Sequence, residues 1–174
     1  MSHLFRYVPG VGRLIVNECG GGLTPVLGSF LSSTTQPATV TNPVAITLSE
    51  RTLGSIDVVG GTYPESRVVI PTTGTYRCMF SAQCDSTSGS EFLEIFPVVN
   101  GTPVPDSNTR IRVGVNVDLC LTAEYFFSFT AGDRLQLFMV GSSTDARLLA
   151  VTRGTGTPAI PDIPSIILTI QRIA

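Results

Sequence analysis

Three groups of side chains in this 174-residue sequence are placed where chemistry would need them: a single histidine, four cysteines, and acids and arginines scattered between residues 85 and 133. His3 stands near the N-terminus, far in sequence from any acidic cluster. A serine–histidine or cysteine–histidine nucleophile would depend on that one residue with no carboxylate to orient it. Glu91 and Glu94 are three apart in a strand-like run, so they point to opposite faces and cannot share a proton as a carboxylate pair. Asp85 and Glu91 flank the loop Ser86-Thr87-Ser88-Gly89-Ser90, where two acids could converge on calcium. The ligand-dense spacing of a calcium loop is missing, and a solvated loop is the better expectation. Cys19-Gly20-Gly21-Gly22 lacks the Lys-Ser/Thr of a phosphate loop and precedes no helical pattern.

The remaining candidates read as structure. Arg110 and Arg112 alternate with Ile111 and Val113, the pattern of a strand with one wet face, although an anion would also suit them. Gly132-Asp133 reads as a turn whose carboxylate bonds nearby backbone N–H groups. Cys78 and Cys84 lie on one proposed strand, about 20 Å apart, too far to bridge. Cys78 and Cys120 fall on opposite faces, so buried reduced thiols and a reducing cytoplasm are expected. There is no tryptophan, and Tyr63 is the clearest loop aromatic for a sugar. No catalytic, cofactor-binding or metal residue is expected, no cofactor is called for, and the chain reads as a non-enzyme.

The elements that must position these residues are strands. Charged residues are 14% of the chain, low for a globular domain, while 17 Gly and 12 Pro supply turns. A net charge of −2, with arginine as the only basic type besides His3, argues against nucleic acid as a partner. Strand signals recur near 28–33, 44–49, 53–59, 66–70, 74–85, 91–99, 108–115, 117–130, 133–141, 146–152 and 164–173, with Asn100-Gly101 a strong hairpin turn. Pro97 inside a run suggests a bulge or an edge. An antiparallel sandwich follows. Its core face should hold Tyr76, Phe80, Leu119, Leu121, Phe127, Phe129, Leu135, Leu137, Ile166, Leu168 and Ile170.

Three of these strands carry a second face that is a poor match for water. Beyond Arg77 the run 76–83 presents Met79, Ser81 and Gln83; the run 125–129 presents Phe126 and Ser128; the last strand presents Ile167, Thr169 and Gln171. Large apolar residues mixed with small neutral polar ones suit a protein–protein face. These eight residues are expected to bury against copies of the chain.

Residues 1–27 differ from the rest. Glycines break them into short pieces around apolar runs, with Leu4, Phe5 and Tyr7 in one and Leu14, Ile15 and Val16 in the other. The segment reads as an arm ordered by a neighbour, with 28–174 as the domain it serves. It lacks the continuous apolar core of a signal peptide, and no apolar run of about 18 residues marks a membrane span.

The ordered set Gly74-Thr75-Tyr76, Phe80-Ser81-Ala82-Gln83, Asn100-Gly101-Thr102 and Phe127-x-Phe129-x-x-Gly132-Asp133-x-Leu135 resembles the jelly roll of tumour necrosis factor and complement-type globular heads over about residues 28–174. That resemblance implies an all-β jelly-roll sandwich, trimeric, with one sheet lining the three-fold axis. Ser32-Ser33-Thr34-Thr35-Gln36 and the stretch from Pro161 to Ile170 further resemble jelly-roll proteins of tailed phages and some large algal viruses. This narrower resemblance implies a virion protein: a homotrimer that decorates or cements a capsid, made in the host cytoplasm, whose arm grips the major capsid protein or other virion subunits. A receptor- or glycan-binding module of a phage tail or fibre is the alternative, and a soluble cytokine-like head is a third. No membrane partner is expected.

Overall fold

The computed structural model describes residues 26–59, 66–154 and 158–174. Those residues form strands and no helix: β1 Leu27–Ser32, β2 Gln36–Pro37, β3 Val44–Ala45, β4 Glu50–Gly54, β5 Asp57–Val59, β6 Arg67–Val69, β7 Gly74–Ser86, β8 Ser90–Val99, β9 Thr102–Pro103, β10 Thr109–Gly114, β11 Leu119–Phe129, β12 Arg134–Gly141, β13 Ala146–Leu148 and β14 Ile166–Arg172. They pair antiparallel into two sheets. One runs β2-β13-β7-β14-β1-β4 with β11 also paired to β7; the other runs β10-β8-β12-β6-β5 with β9 on β8 and β3 on β12.

Period-two alternation explains the core between them. β7 buries Tyr76, Cys78, Phe80, Ala82 and Cys84, β14 buries Ile166, Leu168 and Ile170, and β12 buries Leu135, Leu137 and Met139. Tyr76 is fully enclosed because its hydroxyl donates to the Thr72 carbonyl at 2.7 Å, so burial leaves no orphan polar atom. Burial also raises its pKa.

Four expectations need correction. The single strand expected near 53–59 is two strands in different sheets: β4 pairs β1, while β5 pairs β6. The chain crosses between sheets at Gly54, whose φ of +106° and contact with the Leu27 carbonyl, 2.0 Å from where a Cβ would sit, exclude other residues. Ser55 N–H then donates to that carbonyl at 2.9 Å, and Ile56 plugs the core. The strands expected over 44–49 and 146–152 are shorter, ending at Ala45 and Leu148. Pro97 marks neither a bulge against β12 nor an edge strand. The β8–β12 register runs unbroken from Gly141↔Leu93 to Leu135↔Val99, and β10 flanks β8 on its other side. Pro97 is tolerated because pairing on that side stops at Ile95↔Thr109 and resumes with β9 at Val98↔Pro103.

The fourth concerns Leu119 and Phe127, which face the core side but are only half-buried. The cause is position. β11 is the outermost strand on its flank of β7, so its inner face lies at the sandwich margin. There Phe127 stacks between Tyr125 (5.7 Å) and Phe129 (5.2 Å), and only Phe129 reaches full burial.

Candidate functional site

All eight residues expected at a self-association face lie on one surface, the outer face of the β11-β7-β14 layer. Alternation puts them there, and the pairing register shows how they meet. Phe126 stands opposite Arg77, and Arg77 opposite Gln171; Glu124 stands opposite Met79, and Met79 opposite Thr169; Ser81 faces Ile167, Ser128 faces Thr75, and Gln83 faces Cys120. Phe126, Met79 and Ile167 therefore form a diagonal apolar stripe across three strands, since residues offset by two on neighbouring strands are within side-chain reach. Their exposures are 62%, 39% and 39%. Single exposed apolar residues are ordinary; three in one line across a sheet are not.

The surface also holds residues that alternation at 125–129 did not reach. Glu124 ion-pairs with Arg77 across the strands at 2.8 Å, on the diagonal that crosses the Phe126–Met79 line. The Arg77 hydrogen bond holds the Glu124 carboxyl below its usual range, and Glu124 raises the Arg77 pKa in return. The pair cancels its own charge, which keeps the surface close to neutral. Cys120, expected as a buried thiol, is exposed because alternation puts it on this outer face; it sits at the far end with its Sγ 3.1 Å from the Ser81 hydroxyl. β1 and β4 extend the surface with Leu31 beside Ile167, Ser29 beside Thr169, and Leu53 beside Ser29. Glu124 was readable two places before Phe126; the β1 and β4 residues needed the tertiary pairing.

The other sequence candidates fall into structural roles. Asp85 pairs with Arg147 through Nε (2.9 Å) and Nη2 (2.5 Å), whereas Glu91 accepts from the Ser142 hydroxyl, so these acids do not converge on a calcium site. Among the described residues no group of three His, Cys, Asp or Glu side chains could hold a metal. Glu94, on the face opposite Glu91, binds Asn108 and Arg110. The Arg110 guanidinium also lies 4.3 Å over the Phe92 ring, which adds a cation–π contact. Arg112 is exposed. Asp133 closes its turn as expected, accepting from Thr130 N–H at 2.7 Å and from Asn100 Nδ2 at 2.8 Å. Cys78 and Cys84 are free buried thiols, each pushed up to about 12 by desolvation. His3, Cys19, Tyr63 and the arm residues Leu4, Phe5, Tyr7, Leu14, Ile15 and Val16 lie outside the described residues.

No protein-family model and no curated protein matches the chain. Solved structures share its fold, two of which follow. The globular domain of zebrafish complement 1qA protein is 14% identical with a TM-score of 0.53, covering 87% of this chain and 98% of that one. The Eiger TNF of S. frugiperda is 9% identical with a TM-score of 0.55, covering 86% and 93%. The sandwich is therefore a jelly roll of the complement-head and tumour-necrosis-factor kind. At these identities the likeness carries the fold alone, and neither structure connects the chain to phages or virus particles.

Proposed function

We propose that this chain is a non-enzymatic assembly module, a homotrimer closed through the outer face of the β11-β7-β14 layer, that serves as a structural component of a virus particle. The observation that carries the trimer is the Phe126–Met79–Ile167 stripe with its self-neutralised Arg77–Glu124 pair. Three-fold packing would remove those side chains from water at about 25 cal/mol per Å² of apolar area, without stranding an unpaired charge. The virion setting rests on the sequence resemblance at 32–36 and 161–170 and on a low charge content that suits life inside an assembly. In this reading the arm, residues 1–27, grips the capsid subunits on which the trimer sits.

Mass in solution by light scattering tests the first half; a monomer at micromolar concentration overturns it. Sedimentation of undecorated capsids with the full chain and with a form lacking residues 1–22 tests the second. Loss of co-sedimentation on truncation is expected, and equal binding by the truncated trimer would move the anchor into the jelly roll. A second reading, a recognition head acting on a receptor, draws on the two solved neighbours, a complement head and a tumour necrosis factor. Copy number per particle separates the readings: hundreds fits decoration, a handful fits a receptor-binding tail tip, and none leaves the soluble head.

A further inference from the structure

The outer face of the other sheet has a different chemistry. Gln136, Phe138 and Val140 of β12 point outward, opposite Val98, Phe96 and Glu94 of β8. At the end nearest the Asn100–Gly101 turn this face holds two adjoining depressions that share Gly101. The larger, about 440 Å³, is lined by Arg67, Arg134, Gln136 and Asn100 with Gly101 and Gly132. The smaller, about 160 Å³, lies over Phe96 and Phe138, whose rings stack at 6.2 Å, with Pro43 and Pro103 in its wall.

The cationic depression is prepared by the fold. Arg134 stands opposite Val69 and Leu135 opposite Val68, a register that carries Arg67 to the side of Gln136 and sets both guanidiniums on one face of adjacent strands. Arg67 is half-buried and held by contacts of its own. Arg134 is exposed and has no ion pair among the described residues, so it meets an incoming anion first. Asp133, next to Arg134 in the chain, spends one carboxylate oxygen on Asn100 Nδ2 and the other on Thr130 N–H. Asn100 Oδ1 in turn accepts from Arg134 N–H at 2.9 Å, and Asn100 N–H donates to the Arg134 carbonyl at 2.9 Å. These four bonds lace the β8–β9 and β11–β12 turns into one rigid rim. A Cβ built on Gly101 or Gly132 meets nothing within 4 Å, so the rim is open above.

We propose that these paired depressions bind an acidic sugar, its carboxylate or sulfate between Arg134 and Arg67 and its apolar ring face on Phe96 and Phe138. Guanidinium forks match the geometry of oxyanions. Aromatic faces accept the C–H side of a pyranose through their negative π clouds, and the Gln136 amide offers partners for hydroxyls. The site is on the sheet opposite the proposed trimer face, so failure of either reading leaves the other standing.

Calorimetric titration of the full chain with 3′-sialyllactose, a heparin tetrasaccharide, lactose, AMP and sodium sulfate tests this. Saturable binding of at least one acidic sugar is expected, with lactose about tenfold weaker or more. The two acidic sugars separate a terminal carboxylate from sulfates along a polymer. Arg134→Ala should weaken that binding about tenfold, Arg134→Lys should restore part of it, and Arg112→Ala, at the other end of the same face, should leave it unchanged. The proposal is overturned if no acidic sugar binds, if lactose, sulfate or AMP binds as well as the acidic sugars, or if Arg134→Ala has no effect.

Discussion

The two outer faces of this sandwich are built from the same kind of strand and end in opposite surfaces. The β11-β7-β14 face is close to neutral, with one ion pair folded across a stripe of Phe126, Met79 and Ile167. The β10-β8-β12-β6 face is sorted along its length: Glu94, Arg110 and Arg112 at one end, Phe96 and Phe138 in the middle, Arg67 and Arg134 at the other. A neutral face is suited to a copy of itself, because what it presents is also what it can bury. A grooved, sorted face is suited to something smaller with charge of its own. The jelly roll separates the two tasks because alternation lets each sheet spend one side on the shared core and leaves the other side free to differ.

The largest test of that division is Phe126→Glu. It should convert the proposed trimer to monomers by placing three carboxylates in a desolvated contact, whereas Phe138→Glu on the other sheet should leave the mass by light scattering unchanged. If both variants dissociate, or neither does, the two faces are not divided as described.

Next in size is a contrast within β11 itself. Phe129→Ala should cost about 3–5 kcal/mol in denaturant titration, while Phe127→Ala, half-exposed at the sandwich margin, should cost roughly 1–2. Equal losses would mean that the margin is closed by something else, the trimer contact first among the candidates.

A thiol reading then follows assembly without altering the face. In a Cys19→Ser background, Cys120 should react with a disulfide reagent far more slowly in the wild-type assembly than in Phe126→Glu. Cys78 and Cys84, buried and with pKa values of about 12, should stay silent in both. Fast Cys120 labelling in an intact trimer would move the contact away from the β7–β11 end of the face.

The smallest effect belongs to the rim of the grooved face. Hydrogen bonds from Asn100 and then Thr130 N–H hold the Asp133 carboxyl below its usual range. A depressed folded pKa stabilises above the unfolded value, roughly 3.9, and that contribution is lost as pH falls through the folded value. Wild type should melt slightly above Asp133→Asn at neutral pH, with the gap closing below about pH 4. A gap that persists unchanged at pH 2 would place the effect in turn geometry rather than in charge.

Much of this was legible in the residues. Alternation in 76–83, 125–129 and 166–171 placed every proposed association residue on one side of its strand, and Asn100-Gly101 announced its turn, with φ values of 52° and 82°. Alternation tells which side a residue faces but not how far the strand is from an edge, so Phe127 and Leu119 read as core and are half-buried. The crossing at Gly54–Ile56 was hidden because Leu53 through Val59 reads as one continuous strand. The cationic cleft was hidden for a different reason. Arg67 and Arg134 are ordinary surface arginines in the sequence, and only the β6–β12 pairing brings them to one face.

The pairing of β1 with β14 sets a condition on how the chain is made. Leu27 lies opposite Gln171 and Ser32 opposite Ile166, and β14 alone bridges β1 to β7. A growing chain that has not yet reached Ile166 holds β1 and β4 with no sheet to join and leaves the β7 flank beside Phe80 open. The sandwich therefore closes only once Ile166–Arg172 has been made, through a pairing that spans most of residues 26–174, which predicts slow folding and an aggregation-prone nascent state. A ribosome stalled before that point would release not a smaller domain but an unfinished one.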